Sequence, residues 1–267
     1  MRSTKEDMPS DYIDALARDA MKSIKEGYYK TDIRVTSSPK SLREAILKSK
    51  RAPIISEIKF ASPSKGPIRE NTNLIGIAME MERGGSVGIS ILTEPKNFKG
   101  NIGFISEVRG QVNVPILMKD IILSLEQIES ASRNGANAIL LIYTLFDRGY
   151  CESDVQNMIN YAHSKGLEVL LETHTEKEFL AAIETDADLI GINNRDLKTL
   201  KVNLEVTRRI LTKYDSHGRV IVSESGINTP QDIRFLRNCG AHAFLIGTAI
   251  MKSNNVEEKV KELVESL

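Results

Sequence analysis

Residues 114–145 read VPILMKDIILSLEQIESASRNGANAILLIYTL, and the fold turns on this stretch. It opens on an apolar run, VPILMKD (114–120), and closes on another, ANAILLIYTL (136–145). Between them, LSLEQIESASRNG (123–135) sets Leu125, Ile128 and Ala131 on one stripe and stops at Asn-Gly, as a helix with one buried face does. The two runs are nearly continuous in apolar residues instead of alternating, which is what parallel strands covered on both faces require. The stretch therefore predicts strand, helix, strand.

The same unit recurs on both sides. Further runs are PIISEIK (53–59), SVGISILTE (86–94), LEVLLETH (167–174), DLIGINNR (188–195), RVIVSESG (219–226) and AHAFLIGTAI (241–250). Helical segments separate them: NTPQDIRFLRNCG (228–240) opens on an Asn-Thr-Pro start signal and ends in glycine, and NVEEKVKELVESL (255–267) aligns Val256, Val260, Leu263 and Val264. Over 96–110 the helical period is poorest. Eight alternating units predict an α/β fold, a closed (β/α)8 or TIM barrel, as a single domain over residues 1–267. The competitor is a doubly wound open sheet, which would carry a GxGxxG fingerprint after its first strand; that motif is absent. Residues 1–52 form an N-terminal helical extension, with one helix around 10–26, a second in SLREAILKSKR (41–51), and EGYYKTDIRVTSSPK (26–40) between them as a flexible arm.

Bulk composition narrows the function. With 36 basic and 36 acidic residues the chain lacks the basic surplus of a nucleic-acid binder. No apolar run approaches the ~20 residues of a membrane span, and MRSTKEDMPSDYIDALARD has no apolar signal core, so a cytoplasmic protein is expected, as monomer or weak homo-oligomer. Cys151 and Cys239 stand far apart without metal-ligand spacing and read as reduced thiols. His174 ends a predicted strand, whereas His163 and His217 sit in helix or loop contexts; no metal or cofactor is expected.

Polar residues gather where the strands end. In this fold catalytic groups come from the C-terminal strand ends, and here those ends carry Glu57 and Lys59, Lys119 and Asp120, Glu172 to His174, Asn193 to Asp196, and Ser223 to Gly226. Residues two apart share a face. Glu57 and Lys59 thus point inward with Ile55, Lys119 with Leu117, Glu172 with Leu170, Asn193 with Gly191, and Glu224 with Val222. Asp120, Thr173, Asn194 and Ser225 should lean towards the helix layer or the rim. A structural ion-pair network would use the same residues. As chemistry, the lysines are candidate acids and the glutamates candidate bases or charge stabilisers; a Schiff-base lysine would sit in the same place. Gly226 in SESGI (223–227) and Gly247-Thr248 in LIGTAI (245–250) free backbone N–H groups for a phosphate, or else make tight turns. Ser62, in FASPSKGPI (60–68), can add a hydroxyl, and Phe98 an apolar wall.

These stretches, SEIKFASPSKG (56–66), ILTEPKNFKG (91–100), PILMKD (115–120), LLETH (170–174), GINNRDL (191–197), SESGI and AFLIGTAIM (243–251), together resemble the indole-3-glycerol phosphate synthase family of tryptophan biosynthesis. The resemblance covers about residues 40–267. It implies a carboxy-lyase that closes, decarboxylates and dehydrates 1-(2-carboxyphenylamino)-1-deoxyribulose 5-phosphate. It assigns Lys119 as general acid, Glu172 as base, and Lys59 to the substrate carboxylate and to a second acid role in dehydration. Glu57, Asn193, Glu224 and Ser225 match further polar positions. Ser62, Gly226, Gly247 and Thr248 match the phosphate region, and Phe98 an aromatic near the anthranilate ring. Phe60 and Ala61 depart from the family's frequent basic residues there, and Thr248 replaces a common serine. Alternatives are phosphoribosylanthranilate isomerase, which would present a cysteine on the first strand, a Schiff-base aldolase, or a non-catalytic phosphate-binding barrel.

Overall fold

Strands β1 (Ile54–Ile58), β2 (Gly88–Leu92), β3 (Ile116–Lys119), β4 (Ala138–Ile142), β5 (Glu168–Thr173), β6 (Leu189–Asn193), β7 (Val220–Glu224) and β8 (Ala243–Ile246) all run parallel, and β8 pairs back onto β1 to close the barrel. This is a computed structural model, and it describes residues 11–35, 39–62, 66–69 and 73–267. The open-sheet alternative is thereby excluded. The strands are shorter than the apolar runs, because several runs continue past the strand. ANAILLIYTL leaves the barrel at Ile142 and turns at once into a helix, Tyr143–Asp147, while AHAFLIGTAI does so at Gly247 before the short helix Thr248–Met251.

Local signals account for the helices. The helix Leu125–Asn134 starts from a Ser124–Gln127 capping box and ends at Gly135 in the left-handed region (φ 89°), where glycine carries no Cβ penalty. The helix Pro230–Asn238 starts with Thr229 accepting from the Asp232 N–H. Over 96–110 only Gly103–Arg109 is helical. Its first half is a turn, because the Glu94 carboxylate accepts the N–H groups of Lys96, Asn97 and Phe98.

The extension supplies α1 (Tyr12–Lys25) and α2 (Leu42–Lys48), and the two work at opposite ends of the barrel. Leu42 packs beneath β2 against Gly88, and Glu168 at the foot of β5 accepts the Leu42 and Arg43 N–H groups at 2.7 and 3.0 Å, so α2 plugs the N-terminal end. Ile13, Leu16, Ala17 and Ala20 of α1 join the inner core at the other end. The segment between is not the flexible arm expected over its described part. Tyr29 is 1% exposed and donates to Asp120 at 2.9 Å, while Tyr28 donates to the Thr93 carbonyl at 3.1 Å and accepts from the Ile102 N–H at 3.0 Å. One buried and one half-buried aromatic make it a strap. Its residues 36–38 lie outside the described ones. Among the described residues no helix is long and apolar enough to cross a membrane.

Candidate active site

The alternation along each strand sorts its side chains between two cores. Ile55, Leu117, Leu170, Val222 and Leu245 fill the barrel interior, whereas Ile54, Ile58, Met118, Leu171 and Ile221 pack towards the helices. Two positions beyond the first set, Glu57, Lys119, Glu172 and Glu224 enter the interior at its C-terminal mouth. Lys119 Nζ lies 3.0 Å from Glu224, 3.2 Å from Glu57 and 4.0 Å from Glu172. Lys59 Nζ holds the other Glu57 oxygen at 2.6 Å. The side chain of Lys119 is 16% exposed and that of Glu224 wholly buried.

Electrostatics separates these groups. Burial disfavours the Lys119 ammonium, but Glu224, Glu57 and Glu172 outweigh it and hold the lysine charged, above its ordinary range. Burial likewise pushes Glu57 up, and Lys119 and Lys59 overcome it to set the carboxyl at about 2. At Glu172 burial is overcome by His174, then Lys119 and Asn193, and the carboxyl is again lowered. Glu224 moves oppositely: burial dominates over the pull of Lys119, neighbouring Glu172 adds repulsion, and its carboxyl rises to about 8. One carboxyl is thus kept ionised and its neighbour neutral, a pairing suited to acid–base work. The niche for Glu224 exists because β6 carries Gly191 opposite Glu172; a Cβ there would stand 2.4 Å from Glu224 Oε1.

Three of the four residues expected to lean towards the helix layer or the rim, Asp120, Thr173 and Asn194, turn away from the interior, while Ser225 lines the cavity mouth. Asp120 is held by Thr93, by Tyr29 and by the Ile121 N–H at 2.7 Å, and burial still raises its carboxyl to about 7. Thr173 donates to the Gly191 carbonyl, and Asn194 donates to Ser223 and accepts from Thr207. Asn193 turns inward beside Glu172.

Above the charged cluster opens a cavity of about 610 Å³. Lys59, Lys119, Glu57, Glu172 and Asn193 form part of its wall, and Ser225, Gly226, Gly247 and Thr248 another part. Gly247 stands so close to the charges that a Cβ would lie 2.3 Å from Glu57 Oε1 and 3.0 Å from Lys59 Nζ. Ser225 takes a left-handed φ of 67°, rare for a residue with a Cβ. Phe98 lines the cavity from the turn that Glu94 ties. The backbone of Ser62 forms a two-residue hairpin arm with Gly66, and its side chain lies outside the described residues. Thus all the expected residues but Ser62 meet at one rim.

Several lining residues received no site role in the sequence reading, although Arg195 stands among the polar strand-end residues named there. Arg195 follows Asn193 by two positions and lines the same wall, with Nη1 donating to the Leu200 carbonyl at 2.8 Å; the alternation, continued past the strand end, points to it. Tyr12, Ile13 and Leu16 roof the cavity from α1. No local signal in α1 tells which end of the barrel its apolar face covers.

A family model described as indole-3-glycerol phosphate synthase matches residues 13–263. The curated indole-3-glycerol phosphate synthase of Methanocaldococcus jannaschii is 42% identical over 252 residues, with 92% of each chain covered. That of Caldanaerobacter subterraneus subsp. tengcongensis is 42% identical over 217 residues, with 80% of each covered. A solved structure of N-acetylmannosamine-6-phosphate 2-epimerase from Clostridium perfringens superposes with a TM-score of 0.58 at 15% identity, over 80% of this chain and 93% of that one, a likeness of fold alone.

Proposed function

Because the chain belongs to the indole-3-glycerol phosphate synthase family, we propose a division of labour among the residues of its barrel mouth. The reaction is that of a carboxy-lyase in tryptophan biosynthesis. It converts 1-(2-carboxyphenylamino)-1-deoxyribulose 5-phosphate to indole-3-glycerol phosphate, with loss of carbon dioxide and water.

The substrate brings a carboxylate, a ketone, a flat ring and a phosphate dianion. In the first step the ring carbon bearing the carboxylate attacks the ketone carbon. A carbon–carbon bond forms, and Lys119 gives its proton to the ketone oxygen as charge builds there. An alkoxide is more basic than a lysine amine, so the proton passes to it once negative charge has built on the oxygen, even from a lysine held above its ordinary range. Carbon dioxide then leaves, its bonding electrons restoring the aromatic ring. In the last step Lys59 protonates the departing hydroxyl, and Glu172 removes the proton from the adjacent carbon. Glu57 keeps both lysines in place, within 2.6 and 3.2 Å. Ser225 and the backbone of Gly226, Gly247 and Thr248 take the phosphate, with Ser62 as a further donor, while Phe98 and Leu92 flank the ring. The cytoplasmic setting read from the sequence belongs to the same proposal.

The observation that carries this reading is Lys119, a buried ammonium within 4.0 Å of three glutamate carboxyl groups at the floor of a cavity. The test is turnover of the anilino-ribulose phosphate, followed by indole fluorescence and by carbon dioxide released in equal amount. Trapping of Lys119 by borohydride in the presence of substrate would point instead to a Schiff-base aldolase. Silence in both assays would leave a binding barrel.

A further inference from the structure

His174 follows Glu172 by two positions, on the same face of the chain, and the roles above do not use it. Its side chain is 6% exposed. Nε2 stands 3.2 Å from Glu172 Oε1, and Nδ1 stands 3.8 Å from Glu178 Oε2. Neither ring nitrogen completes a directed hydrogen bond, so the contact is one of charge. Glu178 cannot drift, because it closes the first turn of the helix Glu176–Ile183. Its N–H donates to the Thr175 cap at 3.2 Å, its Oε2 accepts the His174 N–H at 2.8 Å, and its Oε1 accepts from Thr144 at 3.0 Å.

Resting on the reaction assigned above, we propose that His174 is a positioning residue: clamped between Glu178 and Glu172, its imidazolium holds the Glu172 carboxylate ionised and aimed into the cavity. The sequence THTEKE (173–178) then does two things at once. It starts a helix, and it anchors the counter-charge of the base. The groups facing this pair are Glu172 and Glu178, with Lys119 4.0 Å from Glu172, Glu224 beside Glu172 on the next strand but one, Arg195 acting on Glu172 across the cavity wall, and Tyr143 near Glu178. Burial alone would discharge the imidazole; Glu172 and Glu178 outweigh it and raise its pKa to about 9. The cation is therefore present throughout the neutral range, which is what a fixed counter-charge requires.

The test compares wild type with His174→Asn and His174→Gln. Loss of one charge-assisted contact changes proton affinity about tenfold to a hundredfold. The acidic limb of the kcat profile, set by a carboxyl at about 2 in the wild type, should therefore move up by about one to two pH units, with kcat near neutrality and KM little changed. Glu178→Gln should move the limb in the same direction by less. A merely structural histidine would lower the unfolding midpoint and leave the limb in place. Folded variants whose profiles superimpose on wild type would overturn the proposal. A second readout does not depend on the reaction. In the free protein the ¹⁵N-labelled His174 ring should stay protonated to about pH 9, and Glu172→Gln should lower that value. An unprotonated ring at pH 7 would refute the proposal even if wild-type turnover proved to be of another kind.

Discussion

Replacing Lys119 by methionine keeps most of the side-chain volume and removes the charge at the centre of the site. At an effective dielectric constant of about 20, each contact with an ionised carboxylate, Glu57 at 3.2 Å and Glu172 at 4.0 Å, is worth roughly 4–5 kcal/mol before desolvation. Removing one partner of a buried pair costs about 3–5 kcal/mol when the other stays charged. Here two carboxylates retain cations, Glu57 with Lys59 at 2.6 Å and Glu172 with His174 at 3.2 Å. Glu224 instead escapes by keeping its proton, since its carboxyl already titrates near 8. The loss in folding stability should thus be small at pH 6 and larger by up to about 1 kcal/mol at pH 8.5, since the linked term grows by only ~1.4 kcal/mol per pH unit above 8. The sign follows from the raised folded-state pKa. Such a group stabilises most below its unfolded pKa and loses that contribution as pH climbs through the folded one. Turnover should fall by ~10³ or more, since a general acid contributes about 10²–10⁴ and charge stabilisation overlaps with it. Urea unfolding at pH 6 and 8.5, beside indole fluorescence under substrate saturation, reads both. A folded variant within tenfold of wild-type kcat would refute the assigned acid. Equal destabilisation at both pH values would refute the account of Glu224.

Gly191→Ala should cost about 10–100-fold in kcat, because its Cβ displaces Glu224 Oε1 from 2.4 Å and meets Glu172 Cα at 3.3 Å; unchanged kinetics would show the niche to be idle. Tyr29→Phe removes a donor from Asp120, whose carboxyl titrates near 7, above its unfolded value. Stability should therefore drop by about 1–2 kcal/mol, more at pH 8 than at pH 6, in urea titrations at the two pH values. Glu168→Gln weakens the cap on α2 and should cost ~1 kcal/mol in the same assay while kcat stays as it was, since the contact lies at the far end of the barrel.

Much of this molecule can be read along the chain, because parallel strands in a barrel are buried twice and their composition says so. The eight runs, the Asn-Gly and Asn-Thr-Pro helix boundaries, and the inward pairing of Lys119 with Leu117 or Glu172 with Leu170 are all short-range regularities of backbone geometry. They need no knowledge of neighbours. What the chain conceals is which strand end faces which. Glu224 finds Lys119 across 105 positions, and Gly191 makes room for a carboxylate on the next strand, both consequences of barrel closure and of the stagger between strands. The Tyr29–Asp120 bond, 91 positions apart, is of the same kind. It makes a strap of a segment whose composition reads as a loose arm. Even the ionisation of Glu172 and Glu224, identical in type, diverges only once burial and the placement of His174 and Lys119 are set. Periodicity is a property of the backbone and survives in one dimension; electrostatic environment depends on through-space distance, which exists only after the barrel has closed.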